Sequence, residues 1–355
     1  MGYDTSSDKT GIPCARPDCR CLVFDDNEDE NVHRSAFCST GCAGGLGCDH
    51  HECNCSSAVS TPVLVAKSGI LEVQSYGATD RGLRRATNQD HFMTARLRKS
   101  MEVDHTSIPS DEHARFQSNV QGQLLLVADG MGGHAAGERA SQLAVDSAAA
   151  YVLNTIPWFY RLSASCDDDF QDELKRALEF CQRELSRDID NQPMNRNMGT
   201  TLTMAYVIGE HLYVVHVGDS RCYLLRDGRL HQITRDHTVA QDMVDQGLLS
   251  PEQLSSSPFS HLLWNAVGGS EQSVLKPDVY KSRLHAGDML LLCTDGLTRH
   301  LDDKTLESAL NQSHSIEATA HDLIDAAKAG GGTDNITVVI ASLGATAARA
   351  PQPNS

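Results

Sequence analysis

The sequence is short of positive charge: 355 residues carry 30 Lys and Arg against 47 Asp and Glu, a formal net charge of −17. So acidic a surface repels phosphate backbones and anionic lipid headgroups, which argues against nucleic acid or membrane as partner. No apolar run approaches the roughly 20 residues of a membrane span, and Met1–Thr10 has no apolar signal core. A soluble, non-exported monomer of the cytoplasm is the expectation. Also missing is any Cys-x-x-Cys pair, although the chain holds 12 cysteines, so the paired knuckles usual in zinc ribbons are absent. What is present is ordinary for a globular protein, 40% hydrophobic and 22% charged residues, with length for about two domains.

The cysteines divide the chain. Eight lie between Cys14 and Cys55, while Cys166, Cys181, Cys222 and Cys293 are scattered over the remainder. Residues 1–60 have few large apolar side chains, no helix or strand period, and ten acids against four bases. Such a stretch cannot bury enough apolar surface to offset its ordering entropy. Thiolate-bound metal is the agent that would organise it, disulfides being unfavoured without export. The expected organisation is a metal-binding module at 12–57, a linker at 58–67, a conventional larger domain at 68–343 and a disordered tail at 344–355.

Beyond the linker, short strands and helices are legible. Leu124–Ala128 is a continuous apolar run ending at Asp129-Gly130, and Thr201–Val207, Leu212–Val217 and Arg221–Leu225 read as successive antiparallel strands. Further strands fall at Met289–Cys293 and Ile336–Ser342, and helices at Ala136–Leu153, Asp168–Ile189 and Ile316–Lys328. Asp227-Gly228 between Leu225 and Leu230 reads as a hairpin turn. Strands that cluster rather than alternate with helices predict α+β architecture with antiparallel sheets. The long polar segment Thr94–Gln123 reads as a surface insertion, and residues 231–271 as a second polar excursion.

Several strands or turns end in Asp followed by Gly, Asn or a small residue: Asn88-Gln89-Asp90, Asp129-Gly130-Met131, Gly218-Asp219-Ser220, Asp295-Gly296 and Asp334-Asn335. Any one of these is accounted for by turn chemistry. Gathered at one end of a sheet, the carboxylates would repel unless hard divalent cations sat among them. Two such cations can activate a shared water for in-line attack on phosphorus, with an Arg clamping the phosphoryl oxygens.

The runs TDRGLRRATNQD (Thr79–Asp90), VADGMGGHAAGERAS (Val127–Ser141), MGTTLT (Met198–Thr203), VGDSR (Val217–Arg221), CTDGL (Cys293–Leu297) and GGTDNITVVI (Gly331–Ile340) resemble the metal-dependent type 2C Ser/Thr protein phosphatases, in the family's order and in its bacterial form. The resemblance implies a sandwich of two packed antiparallel sheets flanked by helices, with a dinuclear Mn²⁺ or Mg²⁺ centre and phosphoserine- or phosphothreonine-bearing proteins as substrates, a cognate kinase or its targets among them. It also implies that Asp129 bridges two metals, that the Gly130 carbonyl binds one, that Asp295 and Asp334 bind the other, and that Asp90 holds metal-bound water. Arg85 is the implied phosphate ligand, with Arg81 and Arg84 as rivals, and Asp219 the implied ligand of a third, weaker metal. Thr200 and Thr201 are expected to support the sheet, and residues 231–271 correspond to the bacterial flap beside the active site.

Three positions depart from the family pattern. Gln89 stands where many members have Glu. Met131 occupies the position of the usual leaving-group acid, which leaves His134 as candidate general acid, against a substrate-contacting or structural role. Arg299 stands where many relatives have an Asp that contributes to the third metal site.

The N-terminal cysteines, with the closing Cys48-x-His50-x-x-Cys53-x-Cys55, resemble bacterial metallothioneins. The resemblance implies Cys14, Cys19, Cys21, Cys38, Cys42, Cys48, His50, Cys53 and Cys55 as ligands, enough for about three tetrahedral Zn²⁺ or Cd²⁺ with bridging thiolates. Two readings stand: a phosphatase carrying a zinc-binding module, and a zinc storage or sensing protein in which the phosphatase domain is regulated by, or secondary to, metal binding.

Overall fold

The computed structural model describes residues 71–102, 105, 115–156, 167–254, 256–268, 274–312 and 315–345, with two short strands nearer the N-terminus. The chain divides into two units, Met1–Ser68 and Gly69–Ser355. In the first, Ile12–Pro13 pairs antiparallel with Leu22–Val23. The eight N-terminal cysteines and His50, Cys166, and residues 346–355 lie outside the described residues, so the metallothionein-like module and most of the tail do too.

The second unit runs β1 (Leu71–Asp80), β2 (Asp90–Glu102), β3 (Arg115–Met131), α1 (His134–Asn154), α2 (Asp167–Asn191), β4 (Gly199–Thr200), β5 (Leu202–Ile208), β6 (His211–Val217), β7 (Arg221–Arg226) and β8 (Arg229–Gln232). It continues through α3 (Val239–Asp245), β9 (Val267–Gly268), β10 (Asp278–Arg283), β11 (Met289–Cys293), α4 (Asp295–Thr298), α5 (Asp303–Gln312), α6 (Ile316–Ala329) and β12 (Ile336–Ala345). One sheet has the order β8-β7-β11-β12-β1; the other has β9-β4-β3-β5-β6-β10, with β2 also on β3.

Side-chain alternation along the strands sorts the core into three layers. Leu125, Val127, Val207 and Val214 of one sheet meet Leu224, Leu290, Leu292 and Val339 of the other. The opposite face of the first sheet, through Leu124, Leu126, Tyr206 and Tyr213, packs on α1 and α2. Ala136, Ala140, Ala144 and Ala148 recur at four-residue spacing, so α1 presents small side chains to the sheet, while α2 contributes Phe170, Leu174, Leu178 and Leu185. The outer face of the other sheet, through Tyr223, Leu291 and Val338, packs on Leu306, Leu310, Leu323 and Ile324. Each fully buried Leu contributes roughly 1.5–3 kcal/mol of transfer free energy. No helix among the described residues is long and apolar enough to cross a membrane.

The α+β two-sheet expectation agrees with this architecture. Asp227-Gly228 forms the β7–β8 turn with φ of 51° and 77°, the double left-handed geometry of a type I′ hairpin. The reading of Thr94–Gln123 as an insertion needs correction. β2 runs to Glu102 and β3 begins at Arg115, paired residue by residue apart from a shift between Arg98 and Ser100. Ladder hydrogen bonds extend this hairpin where no apolar alternation marks it.

Candidate active site

Five aspartates converge at one end of the sandwich, each placed by a strand terminus. Asp90 opens β2 directly opposite Asp129 near the end of β3. Asp219 lies in the turn between β6 and β7, Asp295 starts α4 just after β11, and Asp334 precedes β12. Asp129, Asp219, Asp295 and Asp334 line a cavity of about 700 Å³ together with Arg85, Gln89, Gly130, Met131, Arg299 and Asn335. Asp90 lies just beneath, 3% exposed.

Local geometry explains the glycine after Asp129. A Cβ on Gly130 would stand 2.1 Å from the Gly137 carbonyl oxygen and 2.8 Å from that of Gln89. The strand end is held by Thr200 and Thr201. Thr200 Oγ1 donates to the Asp129 carbonyl at 2.9 Å, and the Asp129 amide donates to Thr201 Oγ1 at 2.9 Å. Both threonines are buried, as expected of supports.

Burial and mutual repulsion dominate the electrostatics. Burial first, with the charges of Asp295 and Asp334 adding, pushes the Asp90 carboxyl up to about 7, against the hydroxyls of Thr294 and Thr337. Those hydroxyls donate to Asp90 Oδ2 at 2.7 and 2.8 Å. Burial also raises Asp129 and Asp219 well above the ordinary carboxylate range, and Asp295 upward. Neighbouring carboxylates reinforce all three shifts. Asp90 Oδ1 and Asp295 Oδ1 are buried without a hydrogen-bond partner. Acceptor-only oxygens crowded in this way fit hard divalent cations. Among the described residues, however, no three His, Cys, Asp or Glu side chains already surround one point as a ligand cage. Arg299 instead holds two of the carboxylates, bonding Asp295 Oδ2 through Nη2 and Asp334 Oδ2 through Nη1, the latter at 3.0 Å.

Arg85 Nη2 donates to Asp334 Oδ2 at 2.6 Å, its side chain 48% exposed at the cavity. Its rivals stand elsewhere: Arg81 donates to the Ala86 carbonyl at 3.2 Å, and neither Arg81 nor Arg84 lines the cavity. His134 begins α1, and its side chain lies outside the described residues. The excursion expected to be the flap supplies His261, Leu262, Leu263 and Trp264 to the cavity wall. His237 ties its root to the Asp219 turn: its amide donates to the Gly218 carbonyl at 2.7 Å, and the Trp264 amide donates to the His237 carbonyl at 3.1 Å.

Sequence reasoning missed three supports and the contacts of a fourth residue, Arg299. Asn335 Nδ2 donates to the carbonyls of Arg81 and Thr87 at 2.9 Å each, and its Oδ1 accepts the Gln89 amide at 2.9 Å. It thereby fixes the loop that carries Arg85. Thr294 and Thr337 orient Asp90, and Arg299 contacts Asp295 and Asp334. Asn335 was visible only as part of the Asp-Asn dipeptide, Thr294 and Thr337 carried no spacing signal, and Arg299 stood out only as a departure from the family pattern.

Fold and cavity define a two-sheet sandwich whose end forms an acidic, arginine-edged basin suited to divalent cations. Residues 103–328 match the family described as Protein phosphatase 2C, and the chain belongs to that family. It is 37% identical over 265 residues to serine/threonine protein phosphatase PstP of Mycobacterium tuberculosis, an alignment covering 75% of this chain and 44% of that protein. It is 30% identical over 230 residues to serine/threonine phosphatase stp of Listeria welshimeri, covering 65% of this chain and 88% of that protein. The solved catalytic domain of PstP in complex with two manganese ions aligns with TM-score 0.60 and 36% identity, covering 77% of this chain and 99% of that one. The chain therefore spans less than half the length of the mycobacterial relatives.

Proposed function

We propose that this chain is a metal-dependent protein phosphatase that hydrolyses phosphoserine and phosphothreonine esters in proteins. The observation that carries the reading is the cluster of five aspartates around one cavity, two of their buried oxygens unpartnered, with Arg85 at its edge. Asp129, Asp295 and Asp334, with the Gly130 carbonyl and with Asp90 behind, would hold two Mn²⁺ or Mg²⁺ ions, and Asp219 a third, weaker one. When bound, such ions supply Lewis acidity, lowering the pKa of water and neutralising phosphoryl oxygens. Arg85 exchanges its bond to Asp334 for a forked contact with the phosphoryl group, orienting it for in-line attack. His261 and Trp264 of the flap narrow the basin over the entering residue.

Among the described residues, water is favoured over a thiol as nucleophile. Cys181, Cys222 and Cys293 are all buried, and burial pushes the Cys181 and Cys293 thiols up to about 12, leaving negligible thiolate at neutral pH. Phosphate release from a phosphothreonine peptide in Mn²⁺ tests the proposal: the natural chain turns over and Asp129→Ala does not. An active Asp129→Ala would refute it.

The substrates inferred are phosphoproteins of a Ser/Thr kinase pathway. The cysteine spacing in residues 12–57 supports a further assignment, a thiolate module holding about three Zn²⁺. Native mass spectrometry of the reduced, zinc-supplied chain tests it, and one zinc or none would overturn it. Zinc titration of the activity of residues 1–355 and 68–355 separates a regulatory module from a storage one.

A further inference from the structure

Asp334 has no free carboxylate oxygen. Its Oδ1 accepts the Asn335 amide at 2.9 Å, and its Oδ2 accepts Arg85 at 2.6 Å and Arg299 at 3.0 Å. Asp295 is half engaged: Oδ2 accepts Arg299, while Oδ1 is buried and unpartnered. One guanidinium thus spans the two carboxylates proposed to share a cation. It is sited there by the backbone, since the Arg299 amide caps α4 on the Asp295 carbonyl at 2.8 Å, four residues along one helical face.

We infer that Arg299 is a built-in counter-cation: it holds the Asp295–Asp334 pair in the metal-free protein, and a divalent ion must displace it to bind there. The inference rests on the reading of this cluster as a cation site. Guanidinium and divalent ion compete for the same lone pairs, and like charges at such range repel strongly where water is scarce. Arg299 also has somewhere to go. It lines an adjoining cavity of about 380 Å³ with Asp219, Thr298 and Thr333, where its donors find acceptors after release. The arrangement steadies the carboxylate pair without the ion and lowers the pair's affinity for it.

Calorimetric titration of the chelator-stripped full chain with Mn²⁺, paired with thermal unfolding, tests this. Arg299→Gln is expected to bind Mn²⁺ at least about tenfold more tightly at one site, a change of about 1.4 kcal/mol. It is also expected to unfold several degrees below the natural protein in chelator, and at or above it in saturating Mn²⁺. Arg299→Lys, which keeps the charge but lacks the fork to span both carboxylates, should fall between in affinity. It carries the test alone if the Gln variant does not fold without metal. Unchanged Mn²⁺ affinity in both variants, or a loss of unfolding temperature that Mn²⁺ does not erase, overturns the inference. Absence of Mn²⁺ binding by the natural chain and both variants would overturn the cation-site reading itself.

Discussion

Asn335→Ala removes three hydrogen bonds that pin the Arg85 loop: two from its amide to the Arg81 and Thr87 carbonyls and one from the Gln89 amide. Asn335 is 4% exposed, so its partners lose a protein group with little water nearby to replace it. At about 1 kcal/mol net per bond, the loss is roughly 2–3 kcal/mol. In a domain of this size that lowers the unfolding temperature by about 4–12 °C. The functional consequence is separate. Arg85 keeps its charge but loses its placement, so KM for a phosphothreonine peptide rises several-fold. Asn335→Asp retains the acceptor for the Gln89 amide, loses both donors and adds a carboxylate beside Asp334, so it should be at least as damaging. Urea unfolding and steady-state kinetics on the same preparations check both effects. A midpoint and a KM both unchanged in Asn335→Ala would refute the assignment of a positioning role.

Metal-free stability should fall as pH rises. Burial pushes the Asp90 carboxyl up to about 7 in the fold from an ordinary 3.8. Its penalty is therefore absent below about pH 4, grows through neutrality and is complete above about pH 7. Denaturant midpoints measured in chelator across that range should decline, Asp90→Asn should lessen the decline without abolishing it because Asp129, Asp219 and Asp295 are raised too, and a flat natural profile would contradict it. Arg221 grips Asp236 through Nε at 2.9 Å and Nη2 at 2.7 Å. Arg221→Ala strands a buried carboxylate, so a loss of about 3–5 kcal/mol is expected in urea unfolding. Restoration by Asp236→Ala in the same chain is expected too, and a loss unaffected by that second change would count against the pair. Gly130→Ala forces a methyl onto the Gly137 carbonyl; the strand end must shift, abolishing Mn²⁺-dependent phosphate release even where the chain still folds.

The clustered aspartates were legible because each sits where a strand starts or stops, and that punctuation is local. The sandwich was legible for the same reason: β5, β6, β11 and β12 are buried apolar runs whose alternating faces feed separate core layers. The β2–β3 hairpin was not, because its outer part is held by ladder hydrogen bonds between polar residues such as Arg96 and Gln123, which leave no periodic trace. Asn335, Thr294 and Thr337 were missed because they act across more than 200 residues of chain. Their roles exist only once β1, β2, β11 and β12 are brought together. Arg299 was noticed as a departure from an acidic pattern, but its hold on two carboxylates follows from the meeting of α4 with the loop before β12.

The location of manganese in crystals of the full chain grown with the ion, by anomalous scattering, tests the central claim most directly. Two peaks within coordination distance of the Asp129, Asp295 and Asp334 carboxylates, with Arg299 withdrawn from Asp334, are the predicted result. Manganese absent from that cluster in a preparation that still hydrolyses the phosphothreonine peptide would contradict the account.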